Sequence, residues 1–561
     1  MTERPLTIAV AQARFAVADF QANIQKIVAI AKAAQSQSVD LLLLPALALC
    51  GVGLQDLVSR QAFLVEQQQA LQRLAQELAQ CQGLYVVVGH LSPHEGQLFN
   101  SASVLFNGEV KQTHHQLSAK SHQRLGDTFD LDEGIDLASP SLDIKGHHFA
   151  TAIGDEIWRT GFTERMTEQG VKNILLLDAT PYHVGRIREY QKRLSDQLAE
   201  QPVNLFYTNQ VGGHDELIYE GHAFLLNHEQ ELQLELDHFV EAMAIFQLDQ
   251  RERWSFVQAH ALSPESHAQA LPETLLYQST EATEAEIWRA LVLSTRDFLR
   301  DSGMSKATLG LSGGMDSALV LAVLYDAIGA DNITAVMLSS KYTSQLSLDL
   351  AEDMADRLAV RYHQISIEPM FDAYMAGLAP VFGDLPADTT EENLQARIRG
   401  VILMALSNKL GGMVICSGNK SEAATGYSTL YGDTVGGFAI LKDVPKTLVY
   451  RLAHWRNLQQ EIIPPGIISR APSAELAEGQ VDQDSLPPYE VLDEILYRLI
   501  ELKQSSEAIV QAGFDETTVQ RISRLLKFNE YKRRQTAPGP RISEGAFGLD
   551  WRYPLAHGFK Y

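Results

Sequence analysis

Short apolar runs alternate along the chain with longer segments whose apolar residues recur at helical spacing. Residues 6–13 form one short run, 23–37 repeat apolar positions every three or four residues, and 40–45 form a second run. A long amphipathic helix follows over 61–82 and a strand over 84–89, then strand-like pieces at 100–106, 149–153, 173–178, 203–209 and 222–227. Short strands set among helices predict a layered α/β or α+β unit. Between 262 and 285 the pattern breaks: Pro264, Pro272 and many Ser, Glu and Thr residues predict a linker over 263–284. This divides the chain into domains 1–262 and 285–561. In the second domain a helix over 286–300 leads to a strand at 307–311, a Gly-rich turn and a helix over 316–328. A strand at 333–338, a helix at 347–358 and a strand at 363–367 follow. That order predicts a doubly wound parallel sheet.

The length of 561 residues agrees with several ordinary domains or two large ones. Lys and Arg total 46 against 70 Asp and Glu, a net charge of −24, which argues against a nucleic-acid or acidic-membrane binder. Anionic ligands therefore need local basic sites. Three cysteines make no disulfide framework and fit a reducing compartment. The longest apolar run, 41–54, is 14 residues with Pro45 inside it, too short to span a bilayer. The first residues lack a signal-peptide pattern, so the expected location is the cytoplasm, with no membrane partner. Adjacent pairs His114-His115 and His147-His148 would point to opposite faces of a strand, and no third ligand stands at a metal spacing. They are expected at the surface or at strand edges. Cys50, Cys81 and Cys416 are expected to be packed thiols.

Candidate chemistry is densest in Gly310-Leu311-Ser312-Gly313-Gly314-Met315-Asp316-Ser317, which ends a predicted strand and opens a helix. Backbone N–H groups freed by glycines, with the positive end of the helix, make a phosphate cradle. Asp316 can ligate Mg²⁺, and the hydroxyls of Ser312 and Ser317 can donate to phosphate oxygens. No Gly-Lys-Ser/Thr follows, so this is not a Walker loop. The octet resembles the PP-loop of ATP pyrophosphatases. Further blocks resemble NAD synthetase in family order: 390–399, Ser417-Gly418-Asn419-Lys420-Ser421-Glu422, 427–433, Lys442-Asp443-Val444-Pro445-Lys446, Pro472-Ser473-Ala474-Glu475-Leu476, 486–489 and 529–535. The resemblance implies adenylation of the nicotinate carboxylate of deamido-NAD by ATP, then attack of ammonia, with release of AMP and pyrophosphate. It implies ATP contacts from the Gly310–Ser317 octet, Ser417 (Thr in the family) and Lys446. Mg²⁺ would lie on Asp316 and Glu422, and deamido-NAD on Asn393, Arg397, Glu422 and Lys532. Lys442 is a further candidate for the phosphates.

Residues 6–250 resemble the glutaminase of the nitrilase superfamily, an α-β-β-α sandwich. The resemblance rests on Ala11-Gln12, Asp19-Phe20, Asn23, the stretch 40–51, Thr180-Pro181-Tyr182 and Asn209-Gln210-Val211-Gly212-Gly213-His214-Asp215-Glu216-Leu217. Its chemistry needs a thiolate nucleophile, a carboxylate base and a lysine to steady the oxyanion. Here the glutamate position is Ala46, the lysine position falls at Gln116, with Lys120 four residues on, and the nucleophile position is Gly154. A degenerate, inactive glutaminase is therefore expected. The chain then reads as an NAD synthetase that takes free ammonia, and as a homo-oligomer, since the family builds on a synthetase dimer and two-domain members can form octamers. Three other readings remain: a synthetase supplied with ammonia by a separate glutaminase, glutamine use through an unrecognised nucleophile, and a non-catalytic nucleotide sensor or scaffold.

Overall fold

A computed structural model of the chain describes residues 4–94, 97–116, 141–262, 275–277, 283–473, 475–477, 480, 482–484 and 486–558. Contacts divide the chain into two units, Met1–Glu281 and Ala282–Tyr561. Most of the expected linker, and Lys120, lie outside the described residues.

The first unit runs β1 (Thr7–Gln12), α1 (Phe20–Ser36), β2 (Leu41–Leu43), α2 (Gln61–Leu78), β3 (Tyr85–His94), β4 (Gln97–Phe106), β5 (Glu109–His115), β6 (Leu142–Ile144), β7 (His147–Ile153) and α3 (Phe162–Glu168). It continues with β8 (Asn173–Leu177), α4 (Arg186–Leu198), β9 (Asn204–Thr208), β10 (Val211–His214), β11 (Leu217–Glu220), β12 (Phe224–Leu226), β13 (Leu232–Glu235), β14 (Ala242–Leu248) and β15 (Trp254–Ala261). Among the described residues one sheet has the order β15-β14-β1-β2-β3-β4-β5 and the other β13-β12-β9-β8-β7-β6. Period-two alternation explains the layering. Leu175 and Leu177 enter the core shared by the two sheets, whereas Ile174 and Leu176 turn to the opposite face, under Ile187, Tyr190 and Leu194 of α4. Phe206 and Phe246 meet edge to face across the sheets, 5.8 Å between centroids. The result is the expected α-β-β-α sandwich.

The second unit runs α5 (Thr283–Asp301), β16 (Ala307–Gly310), α6 (Met315–Ile328), β17 (Ile333–Ser339), α7 (Gln345–Leu358), β18 (Arg361–Ser366), α8 (Glu368–Phe382) and α9 (Thr389–Leu410). Then come β19 (Met413–Cys416), α10 (Lys420–Thr425), β20 (Phe438–Ala439), α11 (Lys446–Gln459), α12 (Pro465–Ser469), α13 (Tyr489–Ile500), α14 (Ser506–Gln511), α15 (Glu516–Phe528) and α16 (Glu530–Arg533). The sheet order is β18-β17-β16-β19-β20, all pairs parallel. Order reverses at β16, so the carboxyl ends of β16 and β19 open the crevice in which such folds bind ligands. Helix α6 is apolar all round, with Ala318 to Leu324 fully buried, as its place between α5, α11 and the sheet requires. Among the described residues no helix is long and apolar enough to cross a membrane.

His114 lies at a strand edge as expected, on β5, yet is only 4% exposed, because its ring faces inward onto the buried Glu156 carboxylate, 3.0 Å away. His115 and His147 are half-buried and His148 is exposed. All three cysteines are buried.

Candidate active site of the second unit

The loop from β16 to α6 is shaped by its own hydroxyls. Ser317 Oγ accepts from the Ser312 N–H at 3.2 Å and donates to the Gly314 carbonyl at 3.0 Å, and the Gly314 N–H donates to Ser312 Oγ at 3.3 Å. Gly313 adopts φ +75°, and a Cβ there would stand 2.4 Å from the Ser347 carbonyl oxygen. Glycine is required on both counts. The turn leaves the first N–H groups of the fourteen-residue α6 facing a cleft of about 1270 Å³. Ser312, Gly314, Met315, Asp316, Ser317, Ser417, Glu422, Lys442 and Lys446 line it. A second cavity of about 1000 Å³ is lined by Gly310, Leu311, Ser312 and Ser417 with the more apolar Val336, Leu338 and Leu403. Gly313 lines neither, because it is turned onto Ser347.

Three charged side chains converge at the floor of the first cleft. Lys446 opens α11 and is almost wholly buried; its ammonium pairs with Asp316 and lies 3.7 Å from Glu422. Burial alone would lower the lysine pKa, but the two carboxylates overcome burial and raise it. The Glu422 carboxyl is pushed well above the usual range, first by burial and then by Asp316. Asn419 fixes the arrangement: its amide donates to Asp316 at 3.1 Å, while its own N–H meets Glu422 at 3.3 Å in the capping box of α10. Two hard-oxygen ligands crowded enough to resist joint ionisation fit a divalent cation of Mg²⁺ type. They form a pair only; among the described residues no cluster of three or more His, Cys, Asp or Glu could hold a metal ion.

Asn393, Arg397 and Lys532 line neither cavity. All three gather around residues 426–434: Asn393 accepts from Thr429 Oγ1 at 2.7 Å, and Lys532 donates to the carbonyls of Gly426 and Ser428, each at 2.7 Å. Burial lowers the Lys532 pKa, with Asp433 opposing. Arg397 is exposed and donates to the Leu430 carbonyl. Further groups escaped the sequence reading. Asp433 lines both cavities and is pushed up to about 6 by burial. Arg399, brought down to about 10 by burial, lines the second cavity. Arg470 and Asp482 line the first. Asp433 and Arg399 stand in blocks whose resemblance was visible, but nothing in their spacing marked them as cavity residues.

In the first unit, Ala46, Gln116 and Gly154 follow β2, β5 and β7. Gln116 is fully engaged: Asn100 donates to its Oε1 at 3.0 Å, and its Nε2 donates to the Ile153 carbonyl, beside Gly154, at 3.0 Å. Ala46 is 2% exposed, and its carbonyl accepts from Gln210 at 2.8 Å. Gly154 has φ 53° and opens a 3-10 turn, Gly154–Trp158, in which Glu156 accepts from the Ile153 N–H at 2.7 Å.

Comparison with known proteins covers both units. The NAD synthase family model matches residues 287–536, and the carbon-nitrogen hydrolase model matches residues 7–255. Among curated relatives, the glutamine-dependent NAD(+) synthetase of Acinetobacter baylyi is 40% identical over 99% of this chain and 98% of its own. That of Xanthomonas campestris is 39% identical over 100% and 99%. A solved glutamine-dependent NAD+ synthetase of Acinetobacter baumannii, in complex with ADP, superposes with a TM-score of 0.76 at 36% identity, covering 98% of both chains. The synthetase of Cytophaga hutchinsonii, at 19% identity and a TM-score of 0.80 over 99% of this chain and 98% of its own, shares the fold.

Proposed function

The chain belongs to the glutamine-dependent NAD(+) synthetases, and from that premise we propose that it departs from its relatives in one respect: it aminates deamido-NAD with free ammonia, its hydrolase unit being inactive. The reading is carried by Gly154, which offers no thiol, in a chain whose three cysteines are all buried. Burial also pushes the Cys416 thiol up to about 12, far from a thiolate at neutral pH. Ala46 supplies no base and the engaged amide of Gln116 no cation. Loss of a covalent nucleophile alone costs about 10⁴ to 10⁶ in rate.

A carboxylate is a poor electrophile, so the nicotinate carboxylate must first attack the α-phosphorus of ATP. That attack breaks the bond to the β-phosphate, and pyrophosphate leaves with the bonding electrons. The α6 N-terminus with Ser312 and Ser317 holds the phosphates, and Ser417 stands between the two cavities with its hydroxyl available to ATP. Asp316 and Glu422 would hold Mg²⁺, which when bound offsets phosphate charge. Lys446, which opens α11 beside them, offsets further charge on the phosphates. Glu422, Asn393, Arg397 and Lys532 hold deamido-NAD, the last three around residues 426–434. Ammonia then attacks the acyl-adenylate carbonyl and AMP departs. The protein works in the cytoplasm as a homo-oligomer, with its first unit in a structural role. An exposed apolar face on and between α8 and α9, with Val381 79%, Leu385 76% and Val401 61% exposed, supports a dimer through the second unit.

The test is NAD formation from deamido-NAD, ATP and Mg²⁺ with ammonium chloride against ammonia-free glutamine. Turnover with ammonium alone is expected, rising with pH as the unprotonated nucleophile accumulates. Turnover with glutamine at a comparable rate would defeat the proposal.

A further inference from the structure

The Pro472 to Leu476 block has no role in the account above, although the residues around it form a charged latch at the cleft. Arg470 follows α12 directly. Its guanidinium donates to Ser347 Oγ and pairs with the Glu475 carboxylate, and Ser347 Oγ donates to the other oxygen of Glu475 at 2.8 Å. The carbonyl of the same Ser347 is what forbids a Cβ at Gly313. The latch therefore stands directly behind the phosphate loop, and Ser347, Arg470 and Glu475 all line the first cleft. The other two cations lining the cleft, Lys442 and Lys446, carry ammonium groups, which are point charges. Arg470 is the guanidinium among the residues lining it. A planar fork recognises two oxygens of one phosphate, which an ammonium does not.

We propose that Arg470 binds the pyrophosphate leaving group, and that Glu475 is the carboxylate with which pyrophosphate competes for its guanidinium. The inference rests on the synthetase reading above. As the bond from the α-phosphorus to the bridging oxygen breaks, the electron pair stays with pyrophosphate, and its oxygens gain charge beside the Gly313–Ser347 contact. Exchange of the Glu475 oxygens for those of pyrophosphate keeps the guanidinium paired throughout. It also places the strongest interaction where charge develops rather than where it already stands. Ser347 anchors the fork in both pairings.

The test uses the full chain as wild type, R470A, R470K and E475Q, titrated with inorganic pyrophosphate in magnesium buffer, with AMP as control ligand. R470A is expected to weaken pyrophosphate binding by about tenfold or more and R470K to restore only part, AMP binding being unchanged. E475Q is expected to bind pyrophosphate about threefold or more tighter, because its competitor for the guanidinium is gone. A merely structural latch would predict weaker binding from both changes. Equal pyrophosphate affinity in R470A and wild type, or no gain in E475Q, overturns the proposal. Deamido-NAD-dependent exchange of labelled pyrophosphate into ATP should fall about 10²-fold in R470A, with the KM for deamido-NAD unchanged. A wild type without exchange would defeat the synthetase reading, whereas the titration would still decide the role of Arg470.

Discussion

Lys446 shows how much one side chain holds together. It is the ammonium between two half-buried carboxyl groups, so Lys446→Ala leaves a crowded acidic pair without its counterion. We expect about 3 kcal/mol or more of destabilisation in chelator-treated protein and a loss of about 10² to 10³ in kcat/KM for ATP. Unfolding curves with and without Mg²⁺ check the first, and a smaller deficit with the metal present is expected. Under the proposed function, Gly154→Cys alone should restore no glutamine-supported turnover, since on that reading the base and the lysine are also missing and such groups act as a unit. Ala46→Glu should cost several kcal/mol, because it buries a carboxylate at a 2% exposed position. Thermal melts and a glutamine assay with ammonia scrubbed out read both. That the Gly310–Ser317 loop borders a cleft was legible in the sequence, because a Gly-rich turn between strand and helix depends on residue type at fixed spacing. The Arg470–Ser347–Glu475 latch was not, since Ser347 lies more than a hundred residues away and only the tertiary fold brings it to Arg470.

At the level of elements, β16 and β17 were read to within one residue because each is a short apolar run ended by Gly or Ser, and the more polar β18 to within two. The 316–328 helix begins one residue earlier, at Met315, since Gly314 is its N-cap. The 347–358 helix begins at Gln345, because Ser344 caps it by accepting from the Ser347 N–H. Apolar periodicity locates the middle of a helix, whereas caps decide its ends. In the first unit strand β14 (AMAIFQL), one in from the sheet edge, and helix α4 (RIREYQKRLSDQL) were missed. The strand reads equally as a buried helical segment, and the helix is so polar that its apolar stripe, Ile187, Tyr190, Leu194 and Leu198, is thin. The loop before α6 carries its own prediction. Gly313→Ala adds a Cβ against backbone at φ +75°, so nucleotide binding should weaken at least tenfold while far-UV dichroism stays native. Unchanged ATP affinity would show that the turn has more room than the contact implies.

The two units of the whole molecule should answer acid in opposite ways. His90 in the first is 1% exposed, bonded to the Leu91 carbonyl and Ser103 Oγ, and held down at about 4 by burial. Unfolded chain takes up that proton from about pH 6.5, so this contribution is intact above that value and fades by about 3 kcal/mol as pH falls towards 4. Asp433 in the second is pushed up to about 6 by burial, above its unfolded value of 3.8. Its charged form is a burden at neutral pH, relieved by about 3 kcal/mol as pH falls from 6 towards 4. Hydrogen exchange at pH 7.5 and 5 should therefore show protection lost in β3 and β4 while β16 and β19 hold or gain; parallel loss in both units would contradict it. Each unit has its own core, so chemistry can be lost from one without the other unravelling. The φ of 53° at Gly154 then bears on the history of the molecule. A left-handed backbone burdens any side-chain-bearing residue by about 1 kcal/mol and glycine hardly at all. Under the proposed function, exchange of the nucleophile for glycine made the fold easier to keep. A return would have to climb, with two more residues to regain before selection could reward it, so the abandonment behaves as a ratchet.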